Sequence, residues 1–223
     1  MARREAKAKE SGKKPGGKPP KPPTAGPKAQ DQLNLTDEES RIMPLAGGGF
    51  EQAYNAQAAV DTGSLLVVAL DVTQACNDKE QGVPMLEQLA TLPDSLGQAK
   101  QLLADTGFYS ARNAGACEAR GIDPFIAVKQ DEHHPAPHER FTEPAALAAE
   151  ATPAQAMAHK LKTNASRALY ALRKQTVEPV FGIIKSVLGF RQFSLRGLKK
   201  VTGEWTLVCL AWNLKRMAVV RLA

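Results

Sequence analysis

The sequence predicts a mixed α/β layer fold, and three observations carry that prediction. Tyr54 to Val60 and Leu65 to Leu70 are two short apolar runs joined by Asp61-Thr62-Gly63-Ser64, a strong turn signal. Together they read as an antiparallel hairpin. Two further short runs, 100–104 and 124–128, alternate with segments of helical character. Two long helical patterns, 164–188 and 203–222, close the chain. The resulting order, β-β-α-β-α-β-α-α, belongs to a sheet layered with helices.

The elements follow in order. Residues 1–30 hold six prolines, four glycines and nine basic residues, without Leu, Ile, Val or an aromatic residue. Such a segment buries too little apolar surface to offset its ordering entropy, so disorder is expected. Residues 31–49 read as a loop with a single helical turn, and Gly47-Gly48-Gly49 as a flexible hinge. It lacks the preceding strand and following helix of a phosphate loop. Asn77-Asp78 is a capping signal for a helix over about 79–91. Ser110 caps the next, about 111–120, and Gly121 stops it. Residues 129–158 are polar and rich in Pro and Ala, and read as an insertion.

Charge divides the chain in three. Residues 1–30 carry net +7, residues 31–158 net −12 and residues 159–223 net +11. Basic segments gain nucleic-acid affinity by releasing counterions from phosphates, although a solvated surface has the same composition. Cys76, Cys117 and Cys209 are scattered without a C-x-x-C pair and read as buried thiols of a reducing compartment. No run approaches the ~20 apolar residues that span a bilayer. No apolar signal core follows the basic N-terminus, so a cytoplasmic location is expected.

Two carboxylates stand out. Asp105 ends the apolar run Gln101-Leu102-Leu103-Ala104, and Glu178 lies in the basic helical segment Lys174 to Lys185. A strand-end Asp and a helical Glu are what a two-metal phosphoryl-transfer site must bring to one point. The bland readings are a turn or capping Asp and a surface Glu. Pro179 disfavours helical geometry at Glu178, and a kink there would aim its carboxylate inward. His133, His134 and His138 are separated by prolines, which argues against a metal cluster. Trp205 and Trp212, among Leu207, Val208 and Leu210, read as core or partner packing.

Several motifs together carry a resemblance. They are Gly49-Phe50-Glu51-Gln52-Ala53-Tyr54-Asn55-Ala56-Gln57, Asp71-Val72-Thr73-Gln74, Asn77-Asp78, Leu103-Ala104-Asp105-Thr106-Gly107-Phe108-Tyr109-Ser110 and Val177-Glu178-Pro179-Val180-Phe181-Gly182. Over residues 31–222 the chain resembles the C-terminal part of the DDE transposases of bacterial insertion sequences. That resemblance implies a ribonuclease H-like mixed sheet flanked by helices. It implies metal-dependent cleavage and strand transfer of DNA, with Asp105 and Glu178 as the second and third acids and metal ligands. It implies Mg²⁺ as cofactor, element ends and target as DNA partners, and pairing with a second copy or a full-length transposase. Lys185 matches the signature Lys, seven positions after Glu178, and Lys174 takes the usual Arg position with Arg173 beside it. These three are the expected DNA contacts. Tyr170 stands one residue further from Glu178 than the signature asks.

The main departure is the first acid. The family carries it on a first strand upstream of the hairpin, whereas the sequence before Phe50 reads only as loop and basic tail. Asp61 and Asp71 are the nearby stand-ins, Asp61 serving the turn, and Asp78 reads as an N-cap. The basic stretch resembles a linker of a longer transposase, so a truncated copy is expected. The alternative is a non-catalytic DNA-binding or dimer-forming fragment that inhibits the complete enzyme.

Overall fold

A computed structural model describes residues 26, 33–45, 47–128, 142–148 and 150–220. The expectation of disorder over 1–30 falls outside these residues except at Gly26, as does the histidine cluster. Asn34 onward forms one compact unit. Its strands are β1 (Arg41–Pro44), β2 (Phe50–Ala53), β3 (Asn55–Val60), β4 (Val67–Thr73), β5 (Gln101–Ala104) and β6 (Asp123–Ile126). Its helices are α1 (Gly82–Leu89), α2 (Ala111–Glu118), α3 (Pro153–Lys162), α4 (Asn164–Ser186) and α5 (Leu198–Val220).

The architecture is mixed α/β, with small sheets flanked by helices. Both kinds of pairing occur, in three two-stranded ribbons: β1–β2 and β3–β4 antiparallel, β5–β6 parallel. No ladder joins the ribbons among the described residues, so β3 and β5 each keep an edge without a strand partner. Unpaired edges leave backbone donors and acceptors open to other chains.

Most local expectations match. The hairpin forms, with Asn55 opposite Thr73 and a bulge at Ala59/Val60. The Asp61 carboxylate accepts from the Ser64 amide at 2.7 Å and its hydroxyl at 2.6 Å, which holds its pKa below the ordinary value. Ser110 caps α2 by accepting from the Asn113 amide, and Gly121 takes φ +70° beyond the helix end. The tryptophans are core: Val67, Val72, Val180, Ile184, Val201, Trp205, Cys209 and Trp212 form one cluster between β3–β4, α4 and α5.

Five expectations need correction. A strand, β1, does precede Phe50. Ile42 and Met43 pair with β2, and the triple glycine is the tight connection between them, with Gly48 and Gly49 at φ +89° and +85°. Only glycine adopts such angles without strain, so the segment is a turn rather than a hinge. Helix α3 begins at Pro153, inside the expected insertion. Thr152 and Gln155 form a reciprocal capping box there, with Pro153 at the first helical position. Helix α1 starts at Gly82, because the Asp78 side chain bonds elsewhere. Pro179 does not break α4. Burial of Thr176, Val180 and Ile184 holds the helix across the hydrogen bond that proline removes.

Cys117 and Cys209 are buried, and burial pushes their thiols up to about 11 and about 12. Cys76 is exposed, contrary to expectation, because it lies in the loop after β4. The thiolate is the reactive form, so only Cys76 should react with an aromatic disulfide reagent at pH 8 in the native chain. Unfolding should release the other two, and a native titre above one thiol per chain would contradict the burial.

Candidate functional site

Asp105 sits where β5 ends. The strand is held by β6, since the Ala104 carbonyl accepts from the Ala127 amide at 3.3 Å. The chain then turns through Thr106–Phe108, and the Asp105 carboxylate accepts from the Gly107 amide at 2.9 Å. The side chain is exposed. It is both a turn Asp and a presented carboxylate, because one bond to Gly107 leaves its other acceptor sites open.

A second carboxylate lies beside it. A β-carbon built on Gly107 would stand 3.1 Å from Asp105 Oδ1 and 3.1 Å from Asp78 Oδ2. The two oxygens are therefore separated by at most twice that distance. Asp78 is fixed from the strand side. Its Oδ1 accepts from Asn55 Nδ2 at 2.7 Å and from Gln57 Nε2 at 2.8 Å. Both amides come from β3, two residues apart and so on one face. Gln57 also donates to Asn55 Oδ1 at 2.7 Å. These contacts explain two polar side chains on an otherwise apolar strand, and they direct Oδ2 toward the Asp105 turn.

The two loops are also tied by Asn113 of α2. Its buried Nδ2 donates to the Lys79 carbonyl at 2.9 Å and to the Phe108 carbonyl at 2.7 Å. Lys79 follows Asp78, and Phe108 lies three residues beyond Asp105. Gly82 packs directly on this amide, because an added β-carbon would fall 2.7 Å from Asn113 Cγ.

Helix α4 reaches the same region. The Tyr170 hydroxyl donates to the Ala104 carbonyl at 3.0 Å, one residue before Asp105. Arg173 stands over the Tyr170 ring at 5.7 Å and pairs with Glu178 Oε1 at 3.4 Å. Glu178 is exposed and on the same continuous helix. Lys174 and Lys185 are exposed on α4 as well. Lys185 follows Glu178 by seven residues, about two helical turns, so the two share roughly one face. The Tyr170 spacing thus places its ring under Arg173 rather than beside Lys174.

The stand-ins considered for the first acid lie elsewhere. Asp61 is occupied in the β3–β4 turn, and Asp71 Oδ1 accepts from the Val72 amide at 2.8 Å. Asp78, which the sequence reads as an N-cap, is the carboxylate that the fold sets beside Asp105. Its signal was Asn55-x-Gln57, two amides with period 2 on an apolar strand.

Hard carboxylate oxygens suit Mg²⁺, which commonly takes one or two carboxylates and leaves its other positions to water and phosphate. Asp105 and Asp78 lie beside one another at the β5 end, and Glu178 is paired with Arg173. Among the described residues no three His, Cys, Asp or Glu side chains are grouped to hold a metal ion. No described helix is long and apolar enough to cross a membrane.

Neither a curated protein nor a solved structure matches the chain. The family described as "Transposase DDE domain" matches residues 32–214. That span contains the β5 end, the Asp78 loop and the whole of α4. The chain therefore belongs to the DDE transposase domain family.

Proposed function

We propose that the chain acts on DNA in transposition, by metal-dependent cleavage and strand transfer in a ribonuclease H-like domain, with Asp105 and Glu178 as the acids. The observation that carries this reading is the Tyr170 bond to Ala104. It anchors the Glu178 helix one residue before Asp105, although the two acids are 73 positions apart in sequence. Asp78 is the further carboxylate within reach of Asp105.

Asp105, Asp78 and Glu178 would hold the metal. A bound Mg²⁺ would supply Lewis acidity at the phosphorus centre and lower the pKa of an attacking water or 3′-hydroxyl. The protein's part is placement. Asn55 and Gln57 fix Asp78, the Gly107 amide fixes Asp105, and Arg173 pairs with Glu178. Lys174 and Lys185 offer cations to the phosphate backbone, and affinity gained that way falls steeply with salt.

A second reading, a non-catalytic DNA-binding copy that inhibits a complete transposase, is favoured by one observation. Among the described residues no three-ligand metal group is assembled. One experiment separates the two. DNA taken from the flanks of the chain's own gene is incubated with the purified protein and Mg²⁺ or Mn²⁺. Metal-dependent nicking or joining that is lost in both Asp105→Ala and Glu178→Ala is the expected result. Salt-sensitive binding without cleavage would support the inhibitor. Cleavage that survives both substitutions would refute the site.

A further inference from the structure

Strand β4 pairs with β3 on one edge, and among the described residues no strand pairs with its other edge. The ladder tells which backbone groups face that outer edge. The Asp61 amide donates to the Leu66 carbonyl, so the next opposed pair, Val60 and Val67, is a non-hydrogen-bonded one. Val67 therefore turns its N–H and C=O away from β3. The bulge at Ala59/Val60 adds Val68 to β4 and shifts the alternation, so Leu70 and Val72 share the outer edge. Such an edge is a row of donors and acceptors with which the strand of another chain can pair.

Three outward amides of β4 are already bonded, to side chains from α5, α1 and β4 itself. Asn213 of α5 accepts from the Val67 amide through Oδ1 at 2.8 Å and donates from Nδ2 to the Val67 carbonyl at 2.8 Å. A carboxamide carries the donor and acceptor of a peptide group, so Asn213 makes the two bonds that a paired strand would make. Gln88 of α1 accepts from the Leu70 amide at 3.1 Å. Asp71 accepts from the Val72 amide at 2.8 Å. Two further bonds fix α5 beside the strand. Trp212 Nε1 donates to the Leu65 carbonyl at 2.8 Å, and Arg216 Nε to the Ser64 carbonyl at 2.7 Å. The outer edge of β6 is blocked by other means. The Asp123 and Ala127 amides donate to carbonyls of Lys100 and Ala104, so Pro124, next to Asp123, faces away from β5. Proline has no N–H to offer there, and the Pro124 carbonyl accepts from Lys160 Nζ at 2.8 Å.

We propose that Asn213, Gln88 and Asp71 form a guard that closes the outer edge of β4 to strand addition, with Asn213 as its principal member. The partner it excludes is an extended strand of another copy of this chain, which would need the same amides. Asn213 stands in for that strand from within the fold, 146 positions away in sequence. The guard also accounts for Asp71, an acid at the end of an apolar strand, as an edge residue. It touches neither Asp105, Asp78 nor Glu178, so the inference stands or falls apart from the proposed DNA chemistry.

The test uses the full chain and two readings. In the parent, amide exchange at Val67, Leu70 and Val72 should be as slow as at Ala69 and Asp71, which face β3. Free exchange at those three positions would overturn the proposal without any variant. Asn213→Leu keeps the side-chain size and removes both bonds, and Val67 exchange should rise roughly tenfold, the order expected for one lost hydrogen bond. Asn213→Leu with Gln88→Met should form thioflavin-positive assemblies at concentrations where the parent stays soluble. Ile184→Val, buried in the core and bonded to none of these amides, shows how much assembly destabilisation alone produces. Equal assembly by that control, or none by the double variant, would overturn the proposal. If the double variant does not fold, Gln88→Met alone decides. It should speed exchange at Leu70 and leave Val67 unchanged, and an unchanged Leu70 rate would overturn the guard.

Discussion

Replacing Trp205 with alanine should lower the unfolding free energy by about 3–5 kcal/mol, the range for removing a large buried aromatic residue. Trp205 is 2% exposed at the centre of the cluster that joins β3–β4 to α4 and α5. Its ring stacks on Phe181 at 5.6 Å and lies 6.1 Å from Phe190. Its indole Nε1 also donates to the Gln57 carbonyl at 2.9 Å. The alanine variant would lose both ring pairs and one buried hydrogen bond, and would leave a cavity. Trp205→Phe keeps an aromatic ring and loses the N–H, so its cost should be smaller and closer to that of one hydrogen bond plus a reduced packing volume. Denaturant unfolding of the three proteins checks the order. Equal midpoints for Trp205→Ala and the parent chain would show that this cluster is not the core. Because Gln57 also holds Asp78, the alanine substitution should reach the candidate site as well.

The second large effect is expected at Asn113. Its amide donates to two backbone carbonyls from separate loops, Lys79 and Phe108, and is 1% exposed. Its Oδ1 is buried without a hydrogen-bond partner, so the side chain acts purely as a donor between the loops. Asn113→Ala would remove both bonds, leaving the Phe108 carbonyl unmatched and the Lys79 carbonyl with only the long 3.4 Å bond from the Ser110 hydroxyl, at a cost of about 2–3 kcal/mol. The Asp78 and Asp105 loops would then be joined only through their flanking elements. Amide exchange at Gly107, whose N–H is held by Asp105, should accelerate more than exchange in the α5 core. Uniform acceleration across both regions would mean global destabilisation instead. An unchanged melting temperature together with unchanged exchange would show that Asn113 is no clamp.

Some of the candidate site was legible in the sequence. Asp105 at the end of a short apolar strand and Glu178 on a basic helix were readable, because strand ends and helical segments are marked by local periodicity. Their partners were not. Asp78 read as an N-cap because Asn77-Asp78 precedes helix-forming residues, yet Asn55 and Gln57, over twenty residues upstream, claim its carboxylate. A capping oxygen and a long-range acceptor are the same oxygen, and only the fold selects between them. Glu178 likewise carried no sign of its pairing with Arg173, which lies earlier on the same helix.

The sequence alone determined the β3–β4 hairpin and the Ser110 cap, which depend on residues within a few positions of one another, and the three-part charge division, which is set by composition. The capping box at Thr152 was equally local and was readable there, though hidden by the Pro- and Ala-rich composition around it. The tertiary structure alone decided which strands pair, since the apolar runs of β3 and β5 look alike but find partners of opposite direction. It also decided which face of α5 meets the core. Both faces are apolar, so periodicity cannot rank them, and the choice falls to the fit of Trp205 and Trp212 against β4 and α4. Finally, it set Asp78 beside Asp105 through the clamp at Asn113, because packing between distant segments fixes positions that no short window of sequence encodes.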